Sequence, residues 1–339
     1  MSSAPSPSPS RDRHPGRSKK PSRPRIGLAL GSGSARGWSH IGVIRTLEEA
    51  GFAPDIVCGT SIGALVGAVY AAGELDWLEH WLGDLNWTGV IGLMDFRMDG
   101  GLIEGKRLME FFQKHFKDQG IEALPTPFGC VATDLATGRE LWLREGPVID
   151  AVRASIALPG LFSPARLEDR LVVDGGLVNP VPVSLCRAMG AEVVIAVDLN
   201  WDLIGRHAHS DSQTESARGE EHGLPSLLQA PLAGLLARLK PTPAAIIEPG
   251  TSQSPSLLDV LTTSLNIMQV RITQSRLAGE PADVLVRPRL SDIAAMDFHR
   301  ASVAIDAGRA ATERVLPLIA DALGEPMMAS AAPEAAEDV

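Results

Sequence analysis

Aromatic side chains make up only 4% of this 339-residue sequence, too few to furnish a surface on which nucleic-acid bases stack. Basic residues are outnumbered by acidic ones, 31 to 41, for a formal net charge of −10. A backbone footprint needs clustered Lys and Arg, so no nucleic-acid partner is expected. No apolar run approaches the ~18 residues of a spanning helix, and residues 1–24 lack the apolar core of a secretory signal. Cysteine occurs three times, at Cys58, Cys130 and Cys186. Their odd number, wide spacing and apolar surroundings argue for reduced core thiols and a cytoplasmic setting. No Cys/His grouping has metal-ligand spacing, and no Gly-Lys-Ser/Thr signals a Walker loop. Neither a metal nor a cofactor is expected.

What is present suffices for a soluble globular protein: 45% hydrophobic and 21% charged residues, with 33 glycines. Residues 1–24, "MSSAPSPSPSRDRHPGRSKKPSRP", carry six Lys and Arg against Asp12 alone. With no apolar residues to bury, this Pro/Ser-rich head reads as disordered. It is either a solvated tail or a weak tether to anionic lipid, which would give peripheral membrane contact. Residues 25–325 read as one domain, and 326–339 as a disordered acidic tail.

Within the domain, apolar runs alternate with helical patterns. "RIGLAL" (25–30) is a buried strand ending in glycines, and "SHIGVIRTLEEAG" (39–51) a helix with Ile41, Ile44, Leu47 and Ala50 on one face. "DIVCG" (55–59) is a second strand and Ala64–Ala72 a second helix. Such an order implies a parallel sheet packed by helices. Residues 76–125 look helical and irregular, with 102–116 the best helix. "PFGCVATDLATGRELWL" (127–143) reads as two strands about a turn at Ala136-Thr137-Gly138. A helix over 149–158 stops at Pro159-Gly160. Strands follow at 170–174, 191–199 and 282–288. The pattern degrades over 201–255, a variable, lid-like insertion. There Leu224, Leu227, Leu228, Leu232, Leu235, Leu236 and Leu239 share one stripe about Pro231; it suits either a helix on the core or a lipid-facing lid. The spacing predicts a long helix over 256–277, with Leu257, Leu261, Leu265, Met268 and Ile272 inward. A single last helix is predicted over 301–323.

Three short stretches carry the chemistry. The first is "GTSIG", where Ser61 sits between Gly59 and Gly63. Gly-x-Ser-x-Gly is a thin signal alone, but here a strand precedes it and a helix follows, the setting of a nucleophile elbow. The flanking glycines suit chain crossings too close for a Cβ, and the helix N-terminus lends partial positive charge. The second stretch is "GSGSARG", residues 31–37, at the end of the preceding strand. Successive N–H groups in such a turn converge on an anion, as a tetrahedral intermediate requires. It fits a dinucleotide fingerprint poorly, since Arg36 holds the third position and Gly37 falls one residue late. Arg36 is read as steadying the loop, holding an anionic head group, or making a surface ion pair. The third is "DGG": Asp174, delivered by a strand onto the turn at Gly175 and Gly176. It is either a turn aspartate or the base that takes a serine proton directly. A relay would instead use a histidine after Asp174. His207, His209 and His222 lie in the polar loop, leaving His299 as the one serious candidate.

In this order the three stretches, with "VATDLATGRELW", "RASIALPGLFSP" and "VVDGGLVNPVPV", resemble the bacterial patatin-like phospholipase family, in particular its neuropathy-target-esterase-type members. The likeness runs from Arg25 to Leu199. It implies a three-layer α/β/α fold with a mainly parallel sheet and a Ser–Asp dyad that cleaves acyl esters of phospholipids or lysophospholipids. Ser61 would be the nucleophile and Asp174 the base, with an oxyanion hole drawn from Gly31, Ser32, Gly33, Ser34, Arg36, Gly37 and Ile62. Many members carry an all-glycine loop where this sequence alternates Ser32 and Ser34 with glycine; backbone donors survive that change. A non-catalytic lipid-binding protein on the same fold is the alternative.

Overall fold

The computed structural model describes residues 23–83, 85, 89, 106–113, 119–203 and 257–324. The basic head up to residue 22, the insertion from residue 204 to 256 with its leucine stripe, and the acidic tail lie outside them.

The described chain is a three-layer α/β/α assembly. Its strands are β1 (Ile26–Leu30), β2 (Ile56–Thr60), β3 (Phe128–Asp134), β4 (Glu140–Leu143), β5 (Ala165–Leu167), β6 (Arg170–Asp174), β7 (Val193–Val197) and β8 (Val284–Val286). Hydrogen-bonded neighbours run β5-β6-β3-β2-β1-β7-β8, and β4 also pairs with β3. The pairs β1–β2, β1–β7, β2–β3 and β7–β8 are parallel, while β4, β5 and β6 join antiparallel. β1, β2, β3 and β7 are buried along their whole length, as apolar runs covered on both faces must be.

Alternate residues serve opposite faces. Ile26, Leu28 and Leu30 face the larger core, with α1 (Ser39–Glu49), α2 (Ile62–Ala71), α3 (Leu75–Gly83) and the two C-terminal helices. Ala29, Cys58, Val194 and Ala196 face the smaller one, with Leu185 and Cys186 of a short helix. The remaining helices are α4 (Lys106–Gln113), α5 (Val148–Ser155), α6 (Val183–Ala188), α7 (Leu257–Gly279), α8 (Ala301–Glu313) and α9 (Leu316–Leu323). All three cysteines are free and buried.

Three departures from the sequence reading have physical reasons. The last helix is two, α8 and α9, because Pro317 begins a new helix where its missing N–H costs nothing. Helix α5 ends at Ser155 rather than at Pro159, and β5, in a stretch the sequence reading assigns to no element, forms because it pairs antiparallel with β6. Helix α7 presents a different face from the one its leucines suggest. Gln269, Val270 and Thr273 are buried, while Leu261 and Met268 are 40% and 47% exposed. The reason is polar: Gln269 and Arg276 find hydrogen-bond partners in the protein below.

β3 positions the site. β4 pairs with Cys130–Thr133, overlapping both the residues that pair with β2 (Phe128–Val131) and those that pair with β6 (Ala132–Asp134). A strand has two edges, so β2 and β6 share the other edge of β3, one after the other. Thr60 lies opposite Val131 and Asp174 opposite Ala132. The carboxyl ends of β2 and β6 therefore meet head to head.

Candidate active site

β2 runs into Ser61, which has φ 58° and ψ −124°, a backbone state that L-residues rarely adopt and that costs about 1–3 kcal/mol. Crowding makes the turn this sharp. A Cβ on Gly59 would stand 2.3 Å from the carbonyl oxygen of Gly63, and one on Gly63 would stand 2.2 Å from that of Leu30. The Ser61 N–H donates to Ser155 Oγ at 2.9 Å, and that hydroxyl donates to Val131 O at 2.7 Å. Ser155 thus ties the turn to α5 and β3. Its place in "RASIALPG" carries no sign of this role.

Asp174 lies on the other side of the meeting point. Its Oδ2 accepts from Ser61 Oγ at 2.5 Å, and its Oδ1 accepts from the Gly176 N–H at 2.6 Å. Its own N–H donates to Ala157 O at 3.0 Å, and Thr133 Oγ1 donates to its carbonyl at 2.8 Å. The side chain is wholly buried. Burial pushes its pKa up to about 6, partly offset by the hydrogen bonds from Ser61 and Gly176. Gly175 has no room for a Cβ, which would lie 2.2 Å from Val131 O.

The loop over 31–37 packs beside the first turn of α2, where a Cβ on Gly37 would fall 2.3 Å from Ile62 Cγ1. Several of its N–H groups are spent on the scaffold: Gly31 donates to Val197 O (3.1 Å), Ser32 to Pro180 O (2.9 Å), Ala35 to Ala295 O (3.1 Å) and Arg36 to Gly33 O (3.2 Å). The N–H groups of Gly33, Ser34 and Ile62 meet no acceptor among the described residues. Ser34 holds φ 51°, which bends the loop at that point.

Arg36 is buried, not part of a surface ion pair. Its Nη2 donates to Asn200 Oδ1 at 3.1 Å. Burial lowers its pKa to about 10, countered by the charge of Asp202. His40, which the sequence reading passed over, is also buried beneath the loop, with Nε2 2.8 Å from Gly31 O. Burial drives its pKa down to about 4; a neutral imidazole facing a carbonyl carries its proton on Nε2 and donates. The histidine weighed for a relay, His299, is exposed and lies between β8 and α8. His207, His209 and His222 fall outside the described residues. Asn200 and Gln269 are two further buried polar residues against the loop. A lone Asn after a strand and a Gln inside an amphipathic helix carry no pattern that marks them.

The arrangement offers a half-buried hydroxyl with a direct carboxylate acceptor, beside three backbone donors that meet no acceptor among the described residues. Among the described residues, no helix is long and apolar enough to cross a membrane. Fold and site together define a three-layer α/β protein built around a serine on a strand-to-helix turn. Residues 28–187 match the family model of patatin-like phospholipases. An uncharacterized NTE family protein of Mycobacterium tuberculosis (strain ATCC 25618 / H37Rv) is 33% identical over 331 residues, covering 87% of this chain and 92% of that one. Lysophospholipase nte1 of Aspergillus fumigatus is 36% identical over 180 residues, 51% of this chain and 12% of that one. The chain belongs to the patatin-like phospholipase family and is of its NTE type.

Proposed function

We propose that the protein is a serine acyl hydrolase that cleaves carboxylic esters of phospholipids or lysophospholipids. The 2.5 Å hydrogen bond from Ser61 Oγ to Asp174 Oδ2 carries this reading. Family membership supports the lipid-ester class, as does the lysophospholipase name of the fungal relative.

In the proposed first half-reaction, Ser61 Oγ bonds to the ester carbonyl carbon while its proton passes to Asp174 Oδ2. The carbonyl π pair moves onto oxygen, and the oxyanion is held by the N–H groups of Gly33, Ser34 and Ile62 at the N-terminus of α2. These are the unspent members of the wider set expected from the sequence. Collapse breaks the bond to the alcohol, which leaves with the proton from Asp174 and yields an acyl-serine. In the second half, water attacks the acyl carbon and gives its proton to Asp174. Collapse then releases the fatty acid, and the proton returns to Ser61 Oγ. A carboxylate in water is a weak base; one held near pKa 6 by burial is stronger. Asp174 itself sits where the relay's histidine would, and this carries the argument over a route through His299.

The test is fluorophosphonate labelling with a hydrolysis screen over lysophospholipids, diacyl phospholipids and nitrophenyl esters. The expected result is labelling of the wild type that is absent in Ser61→Ala, with turnover lost in Asp174→Asn and kept in His299→Ala. A wild type that takes no label and hydrolyses none of these esters would favour a lipid-binding role instead.

A further inference from the structure

The two N–H groups assigned to the oxyanion on the loop, those of Gly33 and Ser34, lie between two anchored residues, Ser32 and Arg36. One buried amide holds both. Asn200 Nδ2 donates to Ser32 O at 3.2 Å, and Asn200 Oδ1 accepts from Arg36 Nη2 at 3.1 Å. The amide's orientation follows from its partners: a guanidinium only donates and a carbonyl only accepts. Asn200 is 2% exposed, and its own N–H is fixed on Asp198 Oδ1 at 3.1 Å.

A second amide extends the brace to the other turn. Gln269 Oε1, on α7, accepts from Ser32 Oγ at 3.1 Å and from Asn200 Nδ2 at 3.2 Å. That leaves its Nε2 toward the turn after Asp174, 2.6 Å from where a Cβ on Gly176 would stand. Helix α7 is pinned to the same turn by Arg276, whose Nε donates to Val178 O at 2.8 Å. Gln269 therefore spans the gap between the loop and the turn that carries the base.

We infer that Asn200 and Gln269 are positioning residues that hold the Gly33–Ser34 donors in register with the Ser61–Asp174 pair. This rests on the acyl-hydrolase reading above. Neither side chain touches the reacting atoms. Their contribution is preorganisation, and a displacement of the donors by about 1 Å is enough to cost on the order of 100-fold in rate.

Asn200→Asp keeps the shape and the acceptor for Arg36 but removes the donor to Ser32 O. Gln269→Ala removes the span. Both proteins are titrated with fluorophosphonate, so that turnover of a nitrophenyl ester is counted per reactive Ser61. Binding of a trifluoromethyl ketone, which forms a hemiketal oxyanion on the serine, is measured alongside. The expected outcome is a kcat per titrated site lower by about 10- to 100-fold with KM within about twofold, and ketone affinity weakened by the same factor as kcat/KM. A merely structural role would lower the number of reactive sites and the Tm while leaving kcat per site and ketone affinity unchanged, and that result overturns the inference. If Gln269→Ala fails to fold, Asn200→Asp decides alone. A wild type that neither labels nor hydrolyses sinks the functional reading and this inference with it. An active wild type with unaffected variants sinks the inference alone.

Discussion

Ser61 and Asp174 leave their strands by turns of different kinds. Ser61 is held at positive φ, and its turn leaves no room for a Cβ on either flanking glycine. Asp174 has ordinary dihedrals, φ −49° and ψ 135°. Its cost is electrostatic, a carboxylate with no exposed surface. Both turns exclude a Cβ at a flanking glycine, Gly175 included; the serine turn adds a strained backbone and the aspartate turn a buried charge. A substitution that damages one kind of turn should therefore leave a different signature from one that damages the other.

The largest contrast is in catalysis. Ser61→Ala and Asp174→Asn should each reduce kcat by about 10,000-fold or more, since neither an alanine nor an amide performs the step it replaces; steady-state assay of the purified variants measures this. Next comes folding. Gly63→Ala forces a Cβ onto Leu30 O and should cost about 3 kcal/mol or more by denaturant unfolding. Gly83→Ala, with nothing among the described residues within 4 Å, should be neutral or stabilising by less than about 1 kcal/mol.

Asp174→Asn should do the reverse of Gly63→Ala and stabilise the protein at neutral pH. A carboxyl whose pKa rises on folding from 3.8 to about 6 binds more protons folded than unfolded between those values. Its favourable contribution is present below about pH 4 and lost as pH rises through about 6. The variant should thus gain on the order of 3 kcal/mol at pH 7.5 and less than about 1 kcal/mol at pH 4, measured as Tm against pH. The smallest effect is in the wild type: because the proposed base acts as a carboxylate, kcat/KM should fall about tenfold per unit below pH 6 and level off above it. A flat profile from pH 5 to 8 would remove burial as the tuning device.

Much of this was legible in the chain. The strands at 26–30, 56–60 and 193–197 show as apolar runs because both their faces are covered. The elbow shows because strand, glycine-flanked serine and helix are neighbours in sequence, and backbone crowding acts over a few residues. The inward face of helix α7 is not legible in the sequence, for the opposite reason. Its leucine stripe predicts an apolar inward face, yet hydrogen bonds from Ser32 and Asn200 turn Gln269 inward, and Thr273, one turn on, is buried with it. Arg36 was weighed as a surface cation because charge normally seeks water; Asn200, 164 residues away, meets it in the interior.

The sequence by itself determined the local pieces: which runs become buried strands, where side chains must be absent for chains to cross, and that a serine and an aspartate each end a strand. Only the tertiary structure decided that these two ends meet. They lie 113 residues apart, and they touch because β2 and β6 occupy consecutive stretches of one edge of β3. Strand pairing is made through backbone groups that every residue but proline carries alike, so side chains mark which runs are strands but not which strand each one pairs with.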